Sequence, residues 1–416
     1  MIKSRFFINF LVILGGAAGA QAINLAFTPI VTRLFSPEAF GFLGTYVSFL
    51  GILLPLVTLC YPMAIILPEK NITASNIEKG SIFISFILTC FFSIVLLTTY
   101  EVINLLIGWQ DSPILYFFLC ISLFVSALLE VYSYVVLRYK LFRLKSNALI
   151  INSLILNLSK VFVGFYYPNV YALIVVTFFS VITHVALIKY LMRSEIDNFD
   201  FKLSFTFTRR YKNLPLFRAP QTCVAALNQA SPVFLLASMF DLKSSGYFVL
   251  CRTVMLVPVT LIAKSVNDAL MPDIAEMVRR GEQVLGLIVK TTALLAAIAI
   301  IPCLIVFFWG GELFVFIFGE SWYKAGEYAS WFSIWIFFNF INRPCVAAIP
   351  ALFLEKKLLL NSLLNSLLSI GGFLLAFNLF NNDVMAVIFF SIFGIFPQLM
   401  ILMFVYFEIR KEKESI

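Results

Sequence analysis

Histidine occurs once in the 416 residues, at His184. A histidine-based metal cluster within one chain is therefore excluded. Charge is scarce as well: Asp, Glu, Lys and Arg make up 12% of the residues, about half the roughly 25% of an ordinary soluble domain. The chain lacks a Walker A loop, an HExxH helix, a nucleophile elbow and paired carboxylates at catalytic spacing. No enzyme constellation emerges, and bound ATP is not the expected energy source. Nor does any CxxC or Cys/His spacing occur among the seven cysteines, Cys60, Cys90, Cys120, Cys223, Cys251, Cys303 and Cys345. All sit in or at the edge of apolar runs and read as small core residues, not as disulfides or metal ligands. No cofactor and no metal are implied.

What is present is apolar length. The residues are 61% hydrophobic, with 47 Phe, and the mean hydropathy is +0.98. This is the composition of an all-α polytopic membrane protein. The first apolar run, about residues 6–31, exceeds the roughly 7–15 residues of a secretory h-region, so it reads as a retained first span. Twelve segments are long enough for a hydrocarbon core that needs about 20 residues. They cover 6–32, 40–67, 80–106, 113–137, 147–167, 170–192, 219–240, 244–266, 288–309, 326–352, 358–378 and 384–407.

The basic residues are distributed unevenly. With an even number of spans both termini share one side. That side collects 24 of the 30 Lys and Arg, counting Lys189, Lys264 and Lys290 at the span ends, the other only Arg33, Lys243 and Lys324, and Lys160, Arg252 and Arg343 fall deeper within spans. The bias places both termini in the cytoplasm. The net charge of +8 then describes a basic cytoplasmic face against anionic lipid. It does not point to nucleic acid, which would need a folded basic module.

The first span is richer in small and polar residues than an anchor requires. Gly15, Gly16 and Gly19 let another backbone approach closely. Ala17, Gln21, Asn24 and Thr28 form one helical stripe, which points away from lipid. The pattern recurs. Leu34 to Leu43, LFSPEAFGFL, returns as MFDLKSSGYF at Met239 to Phe248, and Leu67-Pro68-Glu69 returns as Met271-Pro272-Asp273. Residues 147–153 resemble 361–366, and the seventh span repeats the polar stripe with Gln221, Ala225 and Asn228. The order implies two six-helix lobes, 1–192 and 219–416, with a cytoplasmic linker at 193–218. Two halves of even span number are related by an axis along the membrane normal, with a site expected between them near mid-membrane. The linker sequence FKLSFTFTRRYKNLPLFR reads either as a piece lying on the membrane surface or as a solvated tether.

The stretch from Gly15 to Lys70 carries a family resemblance: GGAAGAQAINLAFTPI, then TRLFSPEAFGFLGTYVSF, then YPMAIILPEK. With the twelve-span plan, the chain resembles the Wzx-type polysaccharide exporters of the multidrug/oligosaccharidyl-lipid/polysaccharide (MOP) superfamily. The resemblance implies a MATE-like fold and a flippase for undecaprenyl-pyrophosphate-linked glycan units of O-antigen, capsule or exopolysaccharide at the bacterial inner membrane. It also implies partners: membrane lipids, a polysaccharide polymerase and a chain-length regulator. Two rivals stand beside it. A multidrug antiporter of the same fold would favour acidic cavity residues. A membrane-embedded polymerase or glycosyltransferase would need a large catalytic loop.

The in-span charges suit the first reading. Lys160, Arg252 and Arg343 face one in-span carboxylate, Glu130. A charge at such depth costs several kcal/mol unless it faces a cavity or a partner, and an excess of cations suits an anionic head group. Arg252, Arg343 and Lys160 are the expected phosphate ligands, with Gln21, Asn24, Gln221 and Asn228 for sugar hydroxyls. Each has a plainer alternative. Lys160 could snorkel or pair with Glu130, and the amides could simply bridge helices. Glu130 and Arg343, at matching depth in spans 4 and 10, read as a gate pair or as two unrelated packed charges. Arg33 reads as an interfacial or mouth residue. His184 reads as a satisfied bundle residue or as a site of proton coupling.

Overall fold

The computed structural model describes residues 2–107, 109, 113–193, 206–280, 283–349 and 355–414. Every regular element among them is helical. In chain order they are α1 (Ile2–Leu34), α2 (Pro37–Thr58), a 3-10 turn (Tyr61–Ile66), α3 (Asn71–Thr98), α4 (Tyr100–Ile107), α5 (Pro113–Arg138), α6 (Phe142–Tyr166) and α7 (Val170–Met192). The short α8 (Thr206–Arg210) and a π turn (Leu214–Arg218) lead into α9 (Ala219–Met239) and α10 (Leu242–Arg279). Then follow α11 (Leu285–Phe318), a 3-10 turn (Glu320–Trp322), α12 (Tyr323–Ile341), α13 (Arg343–Ala348), α14 (Glu355–Phe380) and α15 (Asp383–Glu414).

Twelve of these helices match the twelve expected spans in order, and ten described segments are long and apolar enough to cross a membrane. The two outside that group, α1 and α12, are of spanning length. In α12, Lys324, Glu327, Asn339 and the amphipathic aromatics lower the mean hydropathy. Three spans are interrupted. The second ends at Thr58, where Leu59 and Cys60 adopt left-handed φ of 48° and 55°. The third breaks near Thr99 between α3 and α4. The tenth divides at Asn342 into α12 and α13, where Pro344 cannot donate to the helical ladder.

The helices form two compact units, Met1–Ser245 and Gly246–Ile416, so α9 belongs to the first and the division falls inside α10. In the first unit α1 and α6 run parallel along one long seam. Gly16 backs onto Ser146 so closely that a Cβ would collide with its side chain, Gly19 faces Ile150, and Gly164 faces Leu34 and Phe35. Gly15 has open space around it, so of the glycine cluster it is Gly16 that permits the approach. At one end of this unit Trp109 stacks on Phe42 at 4.8 Å and donates to the Thr45 hydroxyl at 2.8 Å. At the other, Arg138 donates to the carbonyls of Ile65 and Pro68 at 2.9 and 2.7 Å and to Asn71 Oδ1 at 3.0 Å, clamping the turn after α2.

Part of the linker docks on this same end. Phe207 of α8 is buried, meets the Tyr61 ring edge-on at 5.3 Å and fills the space above Gly80. Residues 194–205 of the expected surface-lying segment lie outside the described residues.

In the second unit, α11 and α12 cross at Gly310 and Gly326, where the backbones touch and neither position has room for a Cβ. Lys324 pairs with the buried Asp383 at 2.6 Å and Tyr328 donates to the same carboxylate oxygen at 2.7 Å, tying α12 to the start of α15. The repeated signature acts alike at both of its occurrences. Ser36 caps α2 by accepting from the Ala39 amide at 3.3 Å, and Asp241 caps α10 by accepting from the Ser244 amide at 2.6 Å.

Candidate functional site

One polar stripe of the first unit lies on α6. Ser153, Asn157, Lys160 and Gly164 recur at helical spacing, and the contacts of Asn157 and Gly164 turn that face toward α1. Asn157 Nδ2 donates to Asn24 Oδ1 at 2.7 Å, so the expected ligand Asn24 is held in an interhelical hydrogen bond. Its carbonyl also accepts from the Thr28 hydroxyl at 2.7 Å. Gln21, one turn earlier, is half-buried on the same stripe. Lys160 shares the seam, one turn beyond Asn157, and among the described residues no carboxylate pairs with it. The other side of α6 bonds to α7: Ser180 and Thr183 both donate to Asn152 Oδ1, at 3.2 and 3.3 Å.

His184 lies next along α7, buried, with Lys145 of α6 in electrostatic reach. Its Nε2 has no hydrogen-bond partner among the described residues. Glu130 of α5 is half-buried, and the hydroxyl of Thr58 is its hydrogen-bond partner in place of Lys160. The neighbouring Cys60 Sγ lies 3.6 Å from Thr222 Oγ1 of α9. Glu130 thus sits beside the left-handed Leu59-Cys60 pair, a conformation that costs non-glycine residues on the order of 1–3 kcal/mol each. Gln221 is exposed and accepts from Arg218 Nη1 at 3.0 Å, one turn away. Asn228 is half-buried, its carbonyl taken by the Ser231 hydroxyl at 3.1 Å. Arg33 is exposed in the last turn of α1.

Both in-span arginines belong to the second unit. Arg252 is half-buried on α10. Arg343 opens α13 at the break in the tenth span, half-buried between buried neighbours. Its Nη2 donates to Asn339 Oδ1, four residues earlier, while its Nε is buried with no acceptor among the described residues. Just before it, Asn342 Nδ2 donates to Gln398 Oε1 at 3.0 Å and anchors the break to α15. A guanidinium held by one partner keeps further N–H groups that can donate to an anion's oxygens.

The family model described as polysaccharide biosynthesis protein matches residues 30–327. The chain belongs to that family. No curated protein sequence matches it. Among solved structures this family member is similar to the lipid II flippase MurJ in an inward closed conformation, with TM-score 0.78 and 14% identity, covering 97% of this chain and 90% of that one. It is similar also to an inward-facing multidrug resistance MATE family transporter of the MOP superfamily, with TM-score 0.75 and 12% identity over 99% and 98% of the two chains. A MOP superfamily transporter from Pyrococcus furiosus, described by the reversed polarity of its binding pocket, matches with TM-score 0.63 and 13% identity over 97% and 95%. At such identities the likeness establishes the fold, which is that of a multi-pass membrane transporter.

Sequence reasoning passed over Asn157, Asn152 and Arg138. The signal for Asn157 was available, because Ser153, Asn157 and Lys160 form a stripe as regular as that of α1. Arg138 carried none, since its carbonyl partners lie about seventy residues away.

Proposed function

We propose that this polysaccharide biosynthesis family member is a Wzx-type flippase. It carries undecaprenyl-pyrophosphate-linked oligosaccharide units, repeats of an O-antigen, capsule or exopolysaccharide, across the bacterial inner membrane by alternating access, with both termini in the cytoplasm. The observation that carries the reading is the family match over residues 30–327. The likeness to a lipid II flippase supports it by fold. Arg252 and Arg343 bind the pyrophosphate, because half-buried cations in apolar helices need an anion or a polar cavity to offset lost hydration. Lys160 adds positive field within the first unit, and Gln21 and Asn228 supply hydrogen bonds to sugar hydroxyls. The gradient or substrate flux supplies the energy.

Polysaccharide export in a strain lacking its own copy of the protein tests this. Arg252→Ala and Arg343→Ala should abolish export while the protein still inserts. Arg→Lys should retain part of it, since charge remains and the planar fork is lost. Arg→Glu should be worst. Normal export in both alanine variants would remove the phosphate role. The likeness to a multidrug transporter favours a second reading, a cation-coupled antiporter using Glu130. Ethidium efflux that depends on Glu130, with export unaffected, would decide for it.

A further inference from the structure

The end of the linker, Thr206 to Arg218, docks on the first unit by one face only. Phe207 is 5% exposed, sits over Gly80 of α3 and meets the Tyr61 ring. Tyr211 and Leu214, four and then three residues on, pack against the same apolar cluster. The residues between them turn outward: Arg209, Arg210, Lys212 and Asn213 are exposed. Among the described residues no carboxylate pairs with any of these three cations, and the stretch contains no Asp or Glu. Arg218 differs, since it donates to Gln221. The turn that follows Leu214 is apolar and uncovered, with Leu216 61% and Phe217 70% exposed. Both stand at the mouth of a segment long and apolar enough to cross a membrane, Leu214–Met239. Going outward along the chain from that segment, bare apolar side chains come first and unpaired cations follow about one turn later. This is the polarity order of a phospholipid interface.

We propose that this face of the linker binds the headgroups of anionic phospholipids. Arg209, Arg210 and Lys212 meet the phosphates, Leu216 and Phe217 sit among the upper acyl chains, and Phe207 holds the face at headgroup depth. The proposal concerns bilayer lipid and not the transported substrate, so it stands apart from the flippase reading. The occupant follows from the two chemistries together. A tether surrounded by water would leave Leu216 and Phe217 hydrated at a free-energy cost. An acidic protein would answer the cations, but residues at the mouth of a span face lipid. A zwitterionic lipid would cover the apolar pair and leave the three positive charges without net compensation. The charge bias assigns this end of the first unit to the cytoplasm, the side whose leaflet carries anionic lipid.

The test uses the full chain in nanodiscs of phosphatidylethanolamine and phosphatidylglycerol, with a benzophenone amino acid in place of the exposed Phe217. Photolabelling should give lipid adducts enriched in phosphatidylglycerol above its share of the bilayer, and high salt should weaken the enrichment. Each basic residue near an anionic surface is worth about a fivefold change in association. Arg209→Gln, Arg210→Gln and Lys212→Gln combined should therefore return the adducts to the bulk lipid ratio. Phe207→Ala keeps every charge and releases the docked face, and it should lose the enrichment as well. Adducts at the bulk ratio in the unaltered protein overturn the proposal. So does enrichment that survives the triple variant, or enrichment that excess inorganic phosphate removes at matched ionic strength. Adducts with protein in place of lipid would assign the face to a protein partner and overturn it too. Enrichment that survives Phe207→Ala would overturn the role given to that side chain. Should Phe207→Ala fail to fold, the triple variant decides, because its three positions are exposed.

Discussion

Asn24 separates two roles that a polar residue in a membrane helix can play. Its side chain accepts from Asn157 at 2.7 Å across the α1–α6 seam, and such bonds average about 0.6 kcal/mol in membrane proteins, with a maximum near 1.7. If bridging is its work, Asn24→Ala and Asn157→Ala should each lower stability modestly. A double-mutant cycle read by thermal unfolding in detergent should give a coupling near that average, with export retained. Loss of export at unchanged stability would assign Asn24 to the substrate instead. Gly16 makes a sharper claim at the same seam. A side chain there meets Ser146 directly, so Gly16→Leu should cost about 1–3 kcal/mol by overpacking. Gly15→Leu, with open space around it, should cost little. Equal effects at the two positions would contradict the packing described here.

The helices themselves were legible because hydropathy and charge are read along the chain, and each span needs only its own residues to declare itself. The breaks were less so. Pro344 announces the division of the tenth span and Pro62 marks the turn after α2, yet the hold on that turn comes from Arg138 of another helix. Pairings between helices escape for the same reason: the Lys324–Asp383 bridge joins residues 59 apart. That bridge yields an ordered prediction. Lys324→Met would leave a charged Asp383 buried without its ion-pair partner, beside the Tyr328 hydroxyl. Asp383→Asn would remove the buried charge and leave Lys324, 39% exposed, free to reach water. Stranding the buried partner is the costlier change, about 3–5 kcal/mol for a fully buried pair and less here because Lys324 is partly solvated. Lys324→Met should therefore lower the melting temperature more than Asp383→Asn. The reverse order would mean that the charge pair adds little to the α12–α15 contact.

At the scale of the whole molecule the candidate site was readable only in part. In-span cations stand out in any hydropathy profile, whereas contacts between helices, such as Asn157 to Asn24, have no signature in either helix alone. Orientation depends on a different property, the distribution of 30 basic residues along the chain, and it can be tested apart from any site. Lys212 and Glu320 are both exposed. The charge bias puts the first in the cytoplasm, because it lies in the most basic inter-helix segment, and the second outside, in the short turn between α11 and α12. In a background with the seven native cysteines replaced, Lys212→Cys should resist a membrane-impermeant maleimide in intact cells and react after permeabilisation. Glu320→Cys should react in both. A single basic residue moved to Glu320 should not invert the chain, because orientation follows the sum over all loops. Reversed labelling would end the orientation argument. It would leave the helix order untouched, since that order rests on hydropathy and on packing within each unit.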